Sequence, residues 1–198
     1  MNMQRSLTLA LALAVAGMAS AQKMKVVQGS FDALKGQKKV DLVFTYDNMK
    51  VGKYDEPEYI SKKTKEYNEK EPGKGDTWAK SWVSDRGSRF EPKFEVLFND
   101  GGKIQGSRGN EDAQYQLKVH TTFTEPGFNV GVMRRDASIN ADVYLVERSS
   151  GKELGKMTVV GVPGGQFGGY DFDSGSRLTE SYAKLGKELR KWLDKKLK

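Results

Sequence analysis

The chain has 198 residues, 33 Lys and Arg against 26 Asp and Glu, one His and no Cys, for a formal charge of +7. The missing Cys excludes a disulfide framework, thiol catalysis and thiolate metal centres. The modest positive excess permits attraction to anionic surfaces, and no nucleic-acid module accompanies it.

Residues 1–21 read as a secretory signal peptide. Arg5 supplies the positive start, 6–18 the apolar run and Ala19-Ser20-Ala21 the small-residue cleavage site. The apolar run is shorter than the roughly 20 residues of a membrane span. A bacterial lipoprotein needs Cys at the cleavage point, so a lipid anchor is excluded. Cleavage after Ala21 takes away one Arg and no acid, so the charge falls from +7 to +6. The expected product is one domain, 22–198, in the periplasm or secreted, with no transmembrane anchor.

KMKVVQG (23–29) predicts a first strand. In VDLVFTYD, Val40, Leu42, Phe44 and Tyr46 alternate with Asp41 and Thr45, which predicts a half-buried strand. Asp55-Glu56-Pro57-Glu58 is a helix start, with a capping acid and Pro near the first position, and EPGKG stops the helix near Lys70. Asp76-Thr77 restarts a helix. Trp78, Trp82, Arg86 and Phe90 follow at steps of four, and Pro92 should kink or break it. A second piece carries Phe94, Leu97 and Phe98 to Asn99-Asp100-Gly101-Gly102. Trp78 and Trp82, one turn apart, read as a core-facing stripe, with a sugar platform as the alternative.

YQLKVHTTF alternates, with Tyr115, Leu117, Val119, Thr121 and Phe123 inward and His120 outward. FNVGVMRRD (128–136) reads as an irregular connection. Ala137, Ile139, Ala141, Val143 and Leu145 predict a long strand, 148–152 a hairpin turn and 154–161 the returning strand. In the last stretch Leu178, Tyr182, Leu185, Leu189 and Trp192 recur at steps of 4, 3, 4 and 3, one apolar stripe of a helix. The fold class is α+β: a mostly antiparallel sheet of about five strands with about three helices packed on one face.

The chemistry is sparse, and neither a catalytic residue nor a cofactor is assigned. There is no G-x-S-x-G elbow, and His120 alone supplies neither nucleophile nor orienting acid. One His without thiolates gives no zinc site. The Gly-rich stretch 161–176 lacks both G-x-G-x-x-G and the G-K-[ST] ending of a phosphate loop. Its Asp171, Asp173 and Ser174 form the low-pattern candidate for a ligand or calcium ion. An EF-hand would need Glu at a position held by Tyr182. The competing reading is helix capping by Asp173, Ser174 or Ser176. The outer face of the last helix carries Lys184, Lys187, Arg190, Lys191 and Lys195, candidates for binding an envelope protein or an anionic surface.

Five blocks carry a resemblance: VDLVFTYDN, FEVLFNDGG, TEPGFNVG, INADVYLVERSSGKELGKM and YAKLGKELRKWLDKKL. Together they resemble small exported proteins of Bacteroidetes-type bacteria, families of unknown function. The last two are more distantly similar to α/β domains of Tol and curli-secretion envelope proteins. The curli-type proteins are lipoproteins, from which this Cys-free chain departs. The resemblance implies a cell-envelope setting and transfers no functional residue. The leading expectation is a non-enzymatic exported protein that binds or scaffolds an envelope partner. The alternatives are a small-ligand or calcium module built on 161–176, and a hydrolase whose Asp and Glu side chains gather in a cleft.

Overall fold

Eight strands of the computed structural model form one mixed sheet, whose long strands are built on alternating apolar residues. The structure describes residues 22–130, 133–165 and 173–198. The expected signal peptide, 1–21, lies outside the described residues. In chain order, β1 (Lys23–Gly29), β2 (Lys39–Thr45), β3 (Lys50–Val51) and β4 (Tyr54–Asp55) precede three helices. These are α1 (Glu56–Asn68), α2 (Lys74–Asp85) and α3 (Glu91–Asn99), with a π-helical turn, Arg86–Phe90, joining the last two. Then come β5 (Gln105–Ser107), β6 (Tyr115–Glu125), a small hairpin of β7 (Phe128–Val130) and β8 (Met133–Arg135), β9 (Ala137–Glu147), β10 (Glu153–Gly164) and α4 (Ser174–Lys196).

The sheet order is β1-β10-β9-β6-β2-β5. The first three ladders are antiparallel, and β2 pairs parallel with both β6 and β5. The β3 strand continues the edge that β2 vacates, pairing parallel with Phe123 and Thr124 of β6 and antiparallel with β4. The fold is α+β, as expected. The strand count is higher because β3, β4 and β5 are two or three residues long, too short to show a period. The stretch expected to be an irregular connection holds the β7–β8 hairpin instead.

One face of the sheet is dry. Leu117, Val119, Ile139, Val143, Leu145, Met157, Val159 and Val162 are fully buried. Each contributes about 1.5–3 kcal/mol of transfer free energy, an upper figure because the unfolded chain is not fully extended. The other face is half-buried and polar. There His120 shares a hydrogen bond of 2.9 Å with Thr45 Oγ1, and Lys118 and Lys156 flank the Tyr144 ring.

Helix α4 supplies the cover for the dry face. Leu178, Tyr182, Leu185 and Leu189 of the expected stripe are buried, and Leu193 joins them, while Trp192 is half-buried at the edge with its ring against Phe31. Tyr182 stacks on Phe90 at 5.0 Å and bonds Thr121 Oγ1 at 2.7 Å. The flank of the same buried face, at Gly186, is pressed against α3. A Cβ on Gly186 would collide with the Phe94 carbonyl oxygen, and one on Gly164 of β10 with the Arg177 carbonyl oxygen.

The irregular turn before α3 has a local cause. Pro92 offers no N–H, and its ring would crowd the carbonyl of Ser88, four residues back. The widened turn, Arg86–Phe90, accommodates it. The turn also sends Arg86 across the Tyr46 ring, 4.4 Å from its centroid, to pair with Glu56, which also accepts from Trp82 Nε1. Among the described residues, no helix is long and apolar enough to cross a membrane.

If Gly186 sets the spacing of α3 and α4, Gly186→Val lowers stability by about 2–3 kcal/mol through overpacking. Gly87→Ala, where a Cβ meets open space, changes it by no more than about 1 kcal/mol and in the stabilising direction. Urea denaturation of the two variants beside the parent checks both values.

Candidate functional site

Three groups of side chains concentrate the charge and the exposed apolar surface. The first is the start of α4. Asp173 is its N-cap, accepting from the Gly175 N–H at 2.9 Å, the Ser176 N–H at 3.2 Å and Ser176 Oγ at 3.0 Å. Its carboxylate also meets Arg89 Nη2 at 2.9 Å. Burial pushes the Asp173 carboxyl up, but Arg89, the Gly175 N–H and Ser176 together hold it below the usual carboxylate range. Both oxygens of Asp173 are therefore engaged by this chain's own donors. Ser174 opens the helix, and Asp171 lies outside the described residues. Among the described residues, no group of three or more His, Asp or Glu is placed to hold a metal ion.

The second is the outer side of α4. Lys184, Lys187, Lys191 and Lys195 fall at steps of 3, 4 and 4, so the helix brings them into one stripe. Arg190 is set apart from it. Its stem covers Gly102, and its guanidinium sits 3.9 Å from Asp194. Lys191 pairs with Glu188 at 2.9 Å. Among the described residues, Lys184 and Lys187 carry no ion pair, nor does Lys93 on α3. These three cations rim two hollows between α3 and α4, of about 350 and 550 Å³, which share Glu180. Their floor is apolar: Pro92, Val96, Leu97, Pro163 and Ala183. Val96 is 62% exposed, although a Val on a helix facing a core would be dry.

The third was not anticipated as a site. A cleft of about 840 Å³ opens between α1, the β3–β4 turn, the end of β6 and the start of α4. One wall is aromatic. Trp78 packs edge-on against Tyr59 at 5.9 Å and Tyr67 at 5.6 Å, and Phe123 and Phe128 line the cleft as well. Trp78 is therefore half-buried at a cleft, while Trp82 is buried in the core. The two acids of the cleft are both engaged. Glu125 meets Arg135 at 2.9 Å and the Gly127 N–H at 3.2 Å, and Asp173 meets Arg89. The sequence points to this cleft only through Trp78, paired with Trp82 as the alternative sugar platform, and of that pair Trp78 alone lines it.

No family model and no curated protein matches the sequence. Among solved structures the chain is similar to PelC from Paraburkholderia phytofirmans in two crystals of its dodecamer. The TM-scores are 0.39 and 0.41 and the identities 14% and 16%, over 86% of this chain and 98% and 99% of PelC. It is also similar to a Xanthomonas campestris protein of the DUF330 family, with a TM-score of 0.39 and 18% identity. That match covers 54% of this chain and 60% of the other. These are distant likenesses, and they give no residue a role.

Removing the cap by Asp173→Ala costs about 1 kcal/mol of stability. The pH dependence follows from the direction of the shift. A carboxyl held below its ordinary value of 3.8 stabilises the fold fully above that value, and the contribution is lost as pH falls through the lower folded value. Urea midpoints at pH 7 and pH 3 should therefore differ less for Asp173→Ala than for the parent chain.

Proposed function

We propose that this chain is a non-enzymatic exported protein that binds a protein partner in the cell envelope, using the groove between α3 and α4. One observation carries the reading. Lys93, Lys184 and Lys187 stand without ion pairs around an apolar floor on which Val96 is largely exposed. Lysines that serve only solubility need no such floor, and an apolar floor whose lining carries Arg89, Lys93, Lys184 and Lys187 against Glu180 and Glu188 suits an acidic segment with apolar side chains. The export signal read in 1–21 and the resemblance of five sequence blocks to exported proteins support the envelope setting.

Three described side chains that could do chemistry, His120, Glu125 and Asp173, have partners within the chain. His120 is tied to Thr45 on the open face of the sheet, and the acids of the aromatic cleft are held by Arg135 and Arg89. Binding is the function this arrangement supports.

A photo-crosslinking residue at Val96, introduced in cells that export the protein, should give a discrete adduct with an acidic envelope protein. The charge-reversed triple variant Lys93→Glu, Lys184→Glu, Lys187→Glu should lose that adduct while keeping its thermal midpoint within a few degrees. High salt should weaken capture by the parent chain. Adducts of equal yield from the parent and the reversed variant, or none from the parent, would overturn the reading.

A further inference from the structure

The aromatic cleft has a chemistry distinct from the α3–α4 groove. Tyr59, Tyr67 and Trp78 pack into one continuous wall, and Phe123 and Phe128 add to the apolar lining. Phe128 is 41% exposed, an apolar ring left in water at the mouth. Burial beside this wall pushes the Tyr59 hydroxyl pKa well above its ordinary value, as expected of a low-dielectric surface. About 840 Å³ lies within the range of sites that take drug-sized molecules, which are mostly apolar with a few fixed polar groups.

The acids that line the cleft are paired, and of its two rim lysines one, Lys53, has no carboxylate partner among the described residues. Its acids, Glu125 and Asp173, are neutralised by Arg135 and by Arg89. Arg177, 8% exposed, holds the floor by donating to the carbonyl oxygens of Pro126 and Gly127. Two lysines remain at the rim. Lys53 lies 5.3 Å from the Tyr54 ring centroid and has no carboxylate partner among the described residues. Lys63 lies 5.7 Å from the Tyr67 ring centroid and shares its charge with Glu66 at 2.8 Å. Ring faces in a wall and ammonium groups at its edge match a ligand with a flat body and an oxyanion at one end.

We propose that this cleft binds an amphipathic organic anion: a planar or fused-ring body against Trp78, Tyr59 and Phe123, with a carboxylate or sulfonate between Lys53 and Lys63. The site is separate from the α3–α4 groove, and its ligand is a small molecule rather than a protein.

Naphthalene-2-sulfonate and the neutral 2-naphthalenemethanol serve as probes in isothermal titration calorimetry of residues 22–198. The sulfonate should bind one site and at least fivefold more tightly than the alcohol, and added salt should narrow the gap. Lys53→Gln with Lys63→Gln should bring the sulfonate down to the affinity of the alcohol, with an unchanged thermal midpoint. Lys184→Gln with Lys187→Gln, in the other groove, should leave the titration unaltered, so failure here is distinguishable from failure of the partner reading. Absence of saturable binding overturns the proposal. So do equal affinities for the two probes, wild-type affinity after loss of Lys53 and Lys63, or weakening by the groove variant.

Discussion

The fit of α4 between the sheet and α3 is the constraint on which the other parts depend. The helix buries Leu178, Tyr182, Leu185, Leu189 and Leu193, and it does so at a distance only glycine permits. Gly186 lets it reach the Phe94 backbone, and Gly175 lets its first turn reach Asp85 and Arg89. With α4 at this depth, Tyr182 can both stack on Phe90 and bond Thr121, so one side chain ties the π-helical turn to the central strand. The same placement turns the lysine stripe outward beside α3 and lets Asp173, at the helix start, border the aromatic cleft.

A second constraint is polar. Glu56 accepts from Trp82 and Arg86, Arg86 covers the Tyr46 ring, and Tyr46 donates to Glu91 at 3.2 Å. Burial raises the hydroxyl pKa of Tyr46 far above its ordinary value, so the phenol stays neutral and can donate. The chain of bonds links α1, the π turn, α3 and the end of β2 across segments far apart in sequence. Partly buried networks of this kind are costly to break, because a removed partner leaves the others dry and unpaired. The irregular turn is thus held in place by the contacts it enables.

The long strands and the final helix were legible because their periods run for seven residues or more. The alternation of 115–121 and 137–145 and the stripe of 178–192 each name their buried face, but a bulge after Thr121 leaves Phe123, expected inward, half-buried at the cleft and buries Thr124 instead. Capping by Asp173 was legible as well, since an acid two residues before Gly175 and three before Ser176 can reach both amides. Asp55 shows the limit of that reasoning. It occupies the N-cap of α1 but makes no capping bond, and instead pairs with Lys50 at 2.6 Å. Asp41 was placed among the outward residues of its strand, yet it is 4% exposed. The Asn110 N–H, Gln116 and Arg148 converge on it from 69, 75 and 107 residues away, and no local pattern announces that. The aromatic cleft was hidden for the same reason: its walls come from α1, α2 and the β6–β7 region, and only the fold brings them together.

The position of α4 in the chain also orders events during biogenesis. A polypeptide that emerges amino end first, from a ribosome or a translocation channel, presents every strand of the sheet before residues 174–196 arrive. Strands β9 and β10, which carry Ile139, Val143, Val159 and Val162, pack against α4, so their dry face lacks that cover until α4 docks. Until then the dry face is an apolar surface open to neighbouring chains, and its β1 edge has free pairing positions. The interval between completing β10 and releasing α4 is therefore the window in which a holding chaperone would matter most, and in which folding competes with aggregation.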